Sequence, residues 1–155
     1  VTDSLTLATW KYLSAQTALT ATLGFDVVSA TWLFRDHLQA TVEGSGAVAV
    51  VVRTNGSWAT PNQHNTARFP VLACDIWADP QRDGGNNVVQ DDTTDKIETT
   101  FVALYRLLHL PAADEYLWGD LRVLSSLGSS EPIFYPVIDG DHMRQAMATF
   151  NIVLG

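Results

Sequence analysis

The chain predicts an α+β domain: a mostly antiparallel, mixed β-sheet with an N-terminal helix and a central amphipathic helix packed on one face. Three observations carry that prediction. Residues 4–23 and 91–109 each repeat apolar side chains at spacings of three and four, the period of a helix that buries one face. Residues 47–53 (AVAVVVR) and 67–77 (ARFPVLACDIW) are β-branched or aromatic runs bounded by turn residues, the pattern of strands. The order is helix, strands, helix, strands, for which a sheet with helices on one face is the natural packing. With 155 residues, one domain spanning 1–155 is expected, hiding roughly 69% of its unfolded surface.

Taken in order, Asp3 or Ser4 caps the first helix, and Gly24 stops it. Its stripe is Leu5, Ala8, Tyr12, Ala15 and Leu19, and the threonines at 17, 20 and 22 weaken its second half. Residues 25–33 are a weaker strand candidate, and 36–46 read as a loop. Residues 47–53, apolar on both faces, predict the central strand. The polar stretch 54–66, with Asn55-Gly56 and Pro61, reads as an extended excursion. In 67–77 the alternate residues Phe69, Val71, Ala73 and Trp77 share a face, and Pro70 demands an edge or a bulge. Residues 78–90 read as a second extended loop, rich in Gly and Asn. The central helix follows, with Asp91, Asp92 and Asp95 at its start and Arg106 and His109 before Pro111. Ile97, Phe101, Leu104, Tyr105 and Leu108 form its apolar face. Residues 121–127 and 133–138 read as short strands, 139–141 as a tight turn, and 143–154 as a long final strand. In that last strand Ala146, Ala148, Phe150, Ile152 and Leu154 share a face.

The charges narrow the function. Nine basic residues face 17 acidic ones, a formal net charge of −8, and the scattered arginines offer no clustered footprint for phosphate. A surface that DNA passes without being gripped is compatible with negative charge. Charged residues make up 17% of the chain, below the roughly 25% of an average soluble domain, so part of the surface is expected to be covered by partners. No run of about 18 apolar residues predicts a membrane span. Val1-Thr2-Asp3-Ser4 carries neither the basic nor the apolar region of a signal peptide, and the expectation is a cytosolic, reduced protein.

The search for chemistry finds no assembled site. The single cysteine, Cys74, permits no internal disulfide and no cysteine-based zinc site, and in an apolar strand it reads as an inert thiol. His37, His64, His109 and His142 stand at no helical ligand spacing, and His109 reads as a cation at a helix end. Gly44-Ser45-Gly46 leads into a strand, so it presents no helix N-terminus to a phosphate. The aspartates of 79/83, 91/92/95 and 139/141 sit in loops, turns and a helix start, where Asp serves the backbone. No catalytic residue, metal or organic cofactor is expected. Two of the five tryptophans, Trp58 and Trp118, fall in segments read as loops and are candidate interface anchors.

The chain resembles the tail terminator (tail-completion, minor tail) proteins of long-tailed actinobacterial phages. The resemblance rests on element order and a few residue types: the N-terminal helix, AVAVVVR, a strand ending CDIWAD with a polar loop, the helix DKIETTFVALYRLLH, the loop LWGD, and a last strand RQAMATFNIVL. It implies a virion protein, assembled in the host cytoplasm, that forms a hexameric ring. That ring would cap the head-proximal end of the tail-tube protein, end elongation and receive a head-closure or connector protein, while DNA passes through its lumen. No catalysis is implied. Ring contacts of such a subunit are expected from loops, here 54–66 with Trp58 and 78–90 with Arg82, Asp83, Asn86 and Asn87, together with Trp118. A head-closure or connector subunit is the alternative; a small enzyme or ligand-binding domain, or a host-directed adaptor, fits less well.

Overall fold

The long last strand anchors the sheet. The computed structural model describes residues 3–23, 33–35, 48–59, 68–111, 116–136 and 144–155. Helices α1 (Leu5–Ser14) and α2 (Thr17–Leu23) precede β1 (Leu33–Arg35), β2 (Val48–Ala59) and β3 (Arg68–Ala78). The small strands β4 (Gln81–Arg82) and β5 (Val88–Gln90) lead to α3 (Thr93–Leu108). Strands β6 (Tyr116–Trp118), β7 (Leu121–Gly128), β8 (Ile133–Phe134) and β9 (Arg144–Leu154) complete the order. The main sheet has seven strands in the order β1-β2-β3-β9-β7-β6, with β8 also on β9. Among the described residues, only β1 and β2 pair in parallel in that sheet; its other pairings are antiparallel. The predicted mixed α+β class is the one observed.

The helices share one face of this sheet. Ser4 is the cap of α1, its hydroxyl accepting from the Leu7 amide at 3.2 Å. The predicted single helix breaks after Ser14: Ala15 is the C-cap, and the Gln16 amide closes a tighter turn onto Leu13 O. Ala15 is therefore exposed and off the stripe, while Leu13 and Leu19 are buried. Trp10 Nε1 donates to Leu33 O at 3.1 Å, tying α1 to β1, and Tyr12 Oη donates to Leu107 O at 3.2 Å, tying α1 to α3. Helix α3 buries Ile97, Phe101, Leu104 and Leu108 and half-buries Tyr105. Beneath it lie Leu72, Cys74 and Ile76 of β3 and the predicted alternate set of β9 in one continuous core. The start of that helix is Asp92, with Asp95 in the first turn and Arg106 in the last.

Several readings are corrected. Strand β2 does not end near Arg53; it runs on to Ala59 across a bulge between Thr54 and Ser57. Asn55-Gly56 thus supplies an extra residue in a strand instead of a turn, a use of Gly that looks identical in sequence. Residues 60–66 of that excursion, with 25–32, 36–46 and 139–141, lie outside the described residues. In β3 the set Phe69, Val71, Ala73 and Trp77 does share a face, the one turned away from the helices, while Leu72, Cys74, Ile76 and Ala78 lie under them. Both sets are apolar, so a period of two could not say which met the helices. His109, read as a cation at a helix end, is the C-cap of α3; its Nδ1 accepts from the Gly128 amide at 3.1 Å, and its ring stacks on Tyr105 at 4.6 Å.

Phe101 is only 6% exposed, beneath α3. Phe101→Ala should destabilise the fold by about 3–5 kcal/mol. Chemical denaturation measures it directly, and an unchanged midpoint would contradict the packing described.

Candidate functional site

Two surfaces remain after the helices and one sheet face have formed the core. The first is the segment between β3 and α3. It is not an irregular loop: β4 and β5 pair antiparallel as a two-stranded sheet of their own, separate from the main sheet. Its tip is built by one side chain. Asp83 Oδ1 accepts from the amides of Gly85 (2.9 Å) and Asn87 (3.0 Å), and Oδ2 accepts from Asn87 Nδ2 at 3.4 Å. The backbone closes the same turn, Asp83 N to Asn87 O at 2.9 Å and Asn86 N to Asp83 O at 3.0 Å. Asn86 takes φ 62°, the left-handed conformation that Asn tolerates better than most residues. These amide donors, Asn87 first and then Gly85, hold the Asp83 carboxyl below the usual aspartate range. Arg82 reaches back to Asp79 at 3.8 Å and forward to Asn86 Oδ1 at 3.5 Å. The tip is thus exposed and preorganised at once.

The second surface is the helix-free face of the main sheet, where three ladders are irregular at one level. The β2 bulge ends at Ser57, which pairs with Pro70, residues 69 and 70 lack β9 partners, and β7 bulges between Val123 and Ser125. Pro70 has no amide to give, as its sequence position predicted. Here the face opens into a groove of about 490 Å³, lined among others by Phe69, Val71, Ser125, Leu127, Asn151 and Val153. Leu127 is 49% exposed. Farther along the face, Arg53 Nε donates to Asp75 Oδ2 at 2.5 Å, with Asp75 nearly buried. Asp75, with a smaller opposing effect of burial, raises the Arg53 pKa above its usual value. Beyond that pair, Phe34, Ala49 and Val51 form a second small apolar cluster with Trp77.

The six predicted interface residues separate. Arg82, Asp83, Asn86 and Asn87 come together in the hairpin. Trp58 lies in β2 opposite Phe69 rather than in a loop. Trp118 is corrected outright: it is in β6, 0% exposed, stacked on Tyr12 at 5.5 Å, and belongs to the core. Gly119-Asp120 makes the two-residue link between β6 and β7, with Gly119 at φ +57°; a side chain there would meet Asp3 Oδ2 at 2.8 Å. That Gly-Asp pair flanked by apolar residues is a hairpin signal, and it would have placed Trp118 in a strand. The groove was missed, although Pro70 marked its level.

Among the described residues, no three His, Cys, Asp or Glu side chains stand together as metal ligands. Cys74 is fully buried, and burial with the nearby Asp75 charge pushes its thiol pKa up to about 12, so it is held as the unreactive thiol.

No family model matches the chain, and no curated protein matches it. Among solved structures, it is similar to a chain of the structure described as "Virion of native gene transfer agent (GTA) particle". The TM-score is 0.66 at 16% identity, over 98% of this chain and 96% of that chain. The two share a fold along essentially their whole length.

The Asp83 cap has a definite pH sense. Because its folded pKa is depressed, its support of the tip is complete above the ordinary aspartate value of about 3.9. It is lost as pH falls through the lower folded value. The protection of the Gly85 and Asn87 amides, relative to their intrinsic exchange, should fall over that acid range. Asp83→Ala should show the lower protection above that range and converge with wild type below it, with the global midpoint unchanged. Equal protection in wild type and variant above that range would remove Asp83 from this role.

Proposed function

We propose that this chain is a structural subunit of a phage-like virion, forming a ring, hexameric by its resemblance to tail terminators, at the head-proximal end of the tail tube. The observation that carries the reading is the fold shared over 98% of the chain with a chain of a gene transfer agent virion. The resemblance of the sequence to tail terminators supplies the finer placement. In this role the ring ends tube growth because its free face does not repeat the docking surface of the tube subunit. That face then receives a head-closure or connector protein. No catalytic step is part of it.

Two physical features support this reading. Six copies at −8 each carry about −48, and negative charge around a lumen repels phosphate and lets DNA slide without sticking. The exposed, capped β4–β5 hairpin offers Arg82, Asp83, Asn86 and Asn87 to a neighbour, and Trp58, at the other end of the sheet opposite Phe69, is the further proposed ring contact. Identical subunits in a ring meet through heterologous contacts, one surface against a different one. The hairpin then needs a dissimilar surface on the next copy.

Mass measurement of the purified protein, alone and mixed with cognate tail tubes or purified heads, tests the reading. A ring mass and stable capture at one end of the tube are expected, with no capture by heads lacking a tail. Capture by heads and not by tails would favour the head-closure or connector alternative. Deleting residues 83–88 should leave the monomer folded and weaken ring formation or tube capping. Normal capping by that variant would remove the hairpin from the contact.

A further inference from the structure

The hairpin and the sheet groove are complementary in a way that identifies the hairpin's receptor. The chain carries a net −8, so two copies repel on approach and gain most where the facing surfaces carry no charge. The groove meets that condition: among the described residues its lining has no ionisable side chain, and Phe69, Val71, Leu127 and Val153 make it largely apolar. The hairpin meets it too. From Gly84 to Gln90 the sequence GGNNVVQ carries no charge, and Val89 projects from β5 with 61% of its surface exposed. Left in water, an aliphatic side chain on a rigid arm and an apolar trough both forgo the stabilisation of burial.

Position decides which copy supplies which part. The groove lies at the Pro70 end of β3, and the hairpin begins three residues after Ala78 at the other end. At about 3.3 Å per residue, those ends stand roughly 30 Å apart. A hairpin of two short strands therefore cannot seat in its own groove. The bulge in β2, Pro70 and the bulge in β7 converge where the trough opens, and such irregularities commonly re-aim or end a ladder at sites that receive something else.

We propose that the β4–β5 hairpin of one copy docks its uncharged strand, led by Val89, into the groove around Leu127 of the next copy. The contact is head-to-tail and adds to the other contacts of the ring. It rests on the ring reading above and names the surface that receives the hairpin.

Two exposed positions allow a clean test on the full chain. Val89→Asp should spoil the hairpin and Leu127→Asp the groove, each weakening self-association at least tenfold, with unchanged circular dichroism confirming the fold. At a concentration where wild type assembles, each variant alone should be monomeric by analytical ultracentrifugation. A mixture of the two should give dimers and no larger species, because one sound hairpin and one sound groove remain per pair. Rings formed by either variant alone, or a mixture that stays monomeric, would overturn the pairing while leaving the ring reading intact. A wild type that stays monomeric at every concentration would overturn the pairing, and tube capping by wild type would then decide the ring reading separately. Rings that persist in Leu127→Asp but no longer bind tubes would assign the groove to the tube and overturn the pairing as well.

Discussion

The structure depends on β9 being sandwiched. It pairs with β3 along one side and with β7 and β8 along the other, so it joins the β1-β2-β3 half of the main sheet to the β7-β6 half. That position is open only to a strand whose two faces do different work. Toward the helices, Ala146 and Ala148 keep the sheet surface low, and Phe150, Ile152 and Leu154 fill the space farther along. Toward the other face it alternates with Gln145, Met147, Thr149 and Asn151, polar or flexible side chains suited to a surface not covered by helices. The size of Phe150 has a consequence on β7. A Cβ on Gly128 would lie 2.7 Å from the Phe150 ring, so a glycine is required there for the two strands to pair with the ring in place.

Much of this order was legible because strong periodicities reflect burial directly. The central helix, the final strand and the Pro70 irregularity follow from spacing and from the missing proline donor. Other features were hidden because one residue type serves two backbone purposes. Asn55-Gly56 reads as a turn and is used as a bulge. Gly119-Asp120 reads as part of a loop and makes a tight hairpin that sends Trp118 inward. The apolar set of β3 that meets the helices could not be chosen because both its sets are apolar. In each case the deciding information was the neighbour across the sheet, which a single sequence does not contain. The hairpin residues could be grouped by their loop, whereas the groove draws on strands separated by more than 50 residues.

The ion pair of Arg53 and Asp75 sits between the groove and the second apolar cluster on the helix-free face. A buried pair of this kind is weak support for stability, since desolvation offsets much of the attraction. Its larger effect is on where apolar surfaces can join. Arg53 also lies 3.3 Å from Met147 Sδ through its Nη2, so the guanidinium spans β2, β3 and β9 across their pairing. A charged bar at that height divides the face into two apolar areas instead of one broad sheet, and a divided face gives a partner one register in which to dock. Loss of Arg53 would leave the nearly buried Asp75 without this counterpart, the costly case.

The division of labour between the faces follows from composition. A chain with 46% hydrophobic residues and 17% charged ones has more apolar surface than its helix-covered core consumes, and the surplus must lie somewhere. Scattered singly, it would need no explanation. Here part of it is gathered, Leu127 with the groove and Ile133, Phe134 and Tyr135 at the exposed edge strand β8, while Val89, Val102 and Leu117 stand singly on β5, α3 and β6. Strand β8 is only two residues long, and short edges resist indiscriminate strand pairing. The groove, by contrast, is concave, and a concave apolar surface discriminates by shape. Concentrating the surplus in a trough, with the edge kept short and the overall charge strongly negative, favours ordered assembly over aggregation.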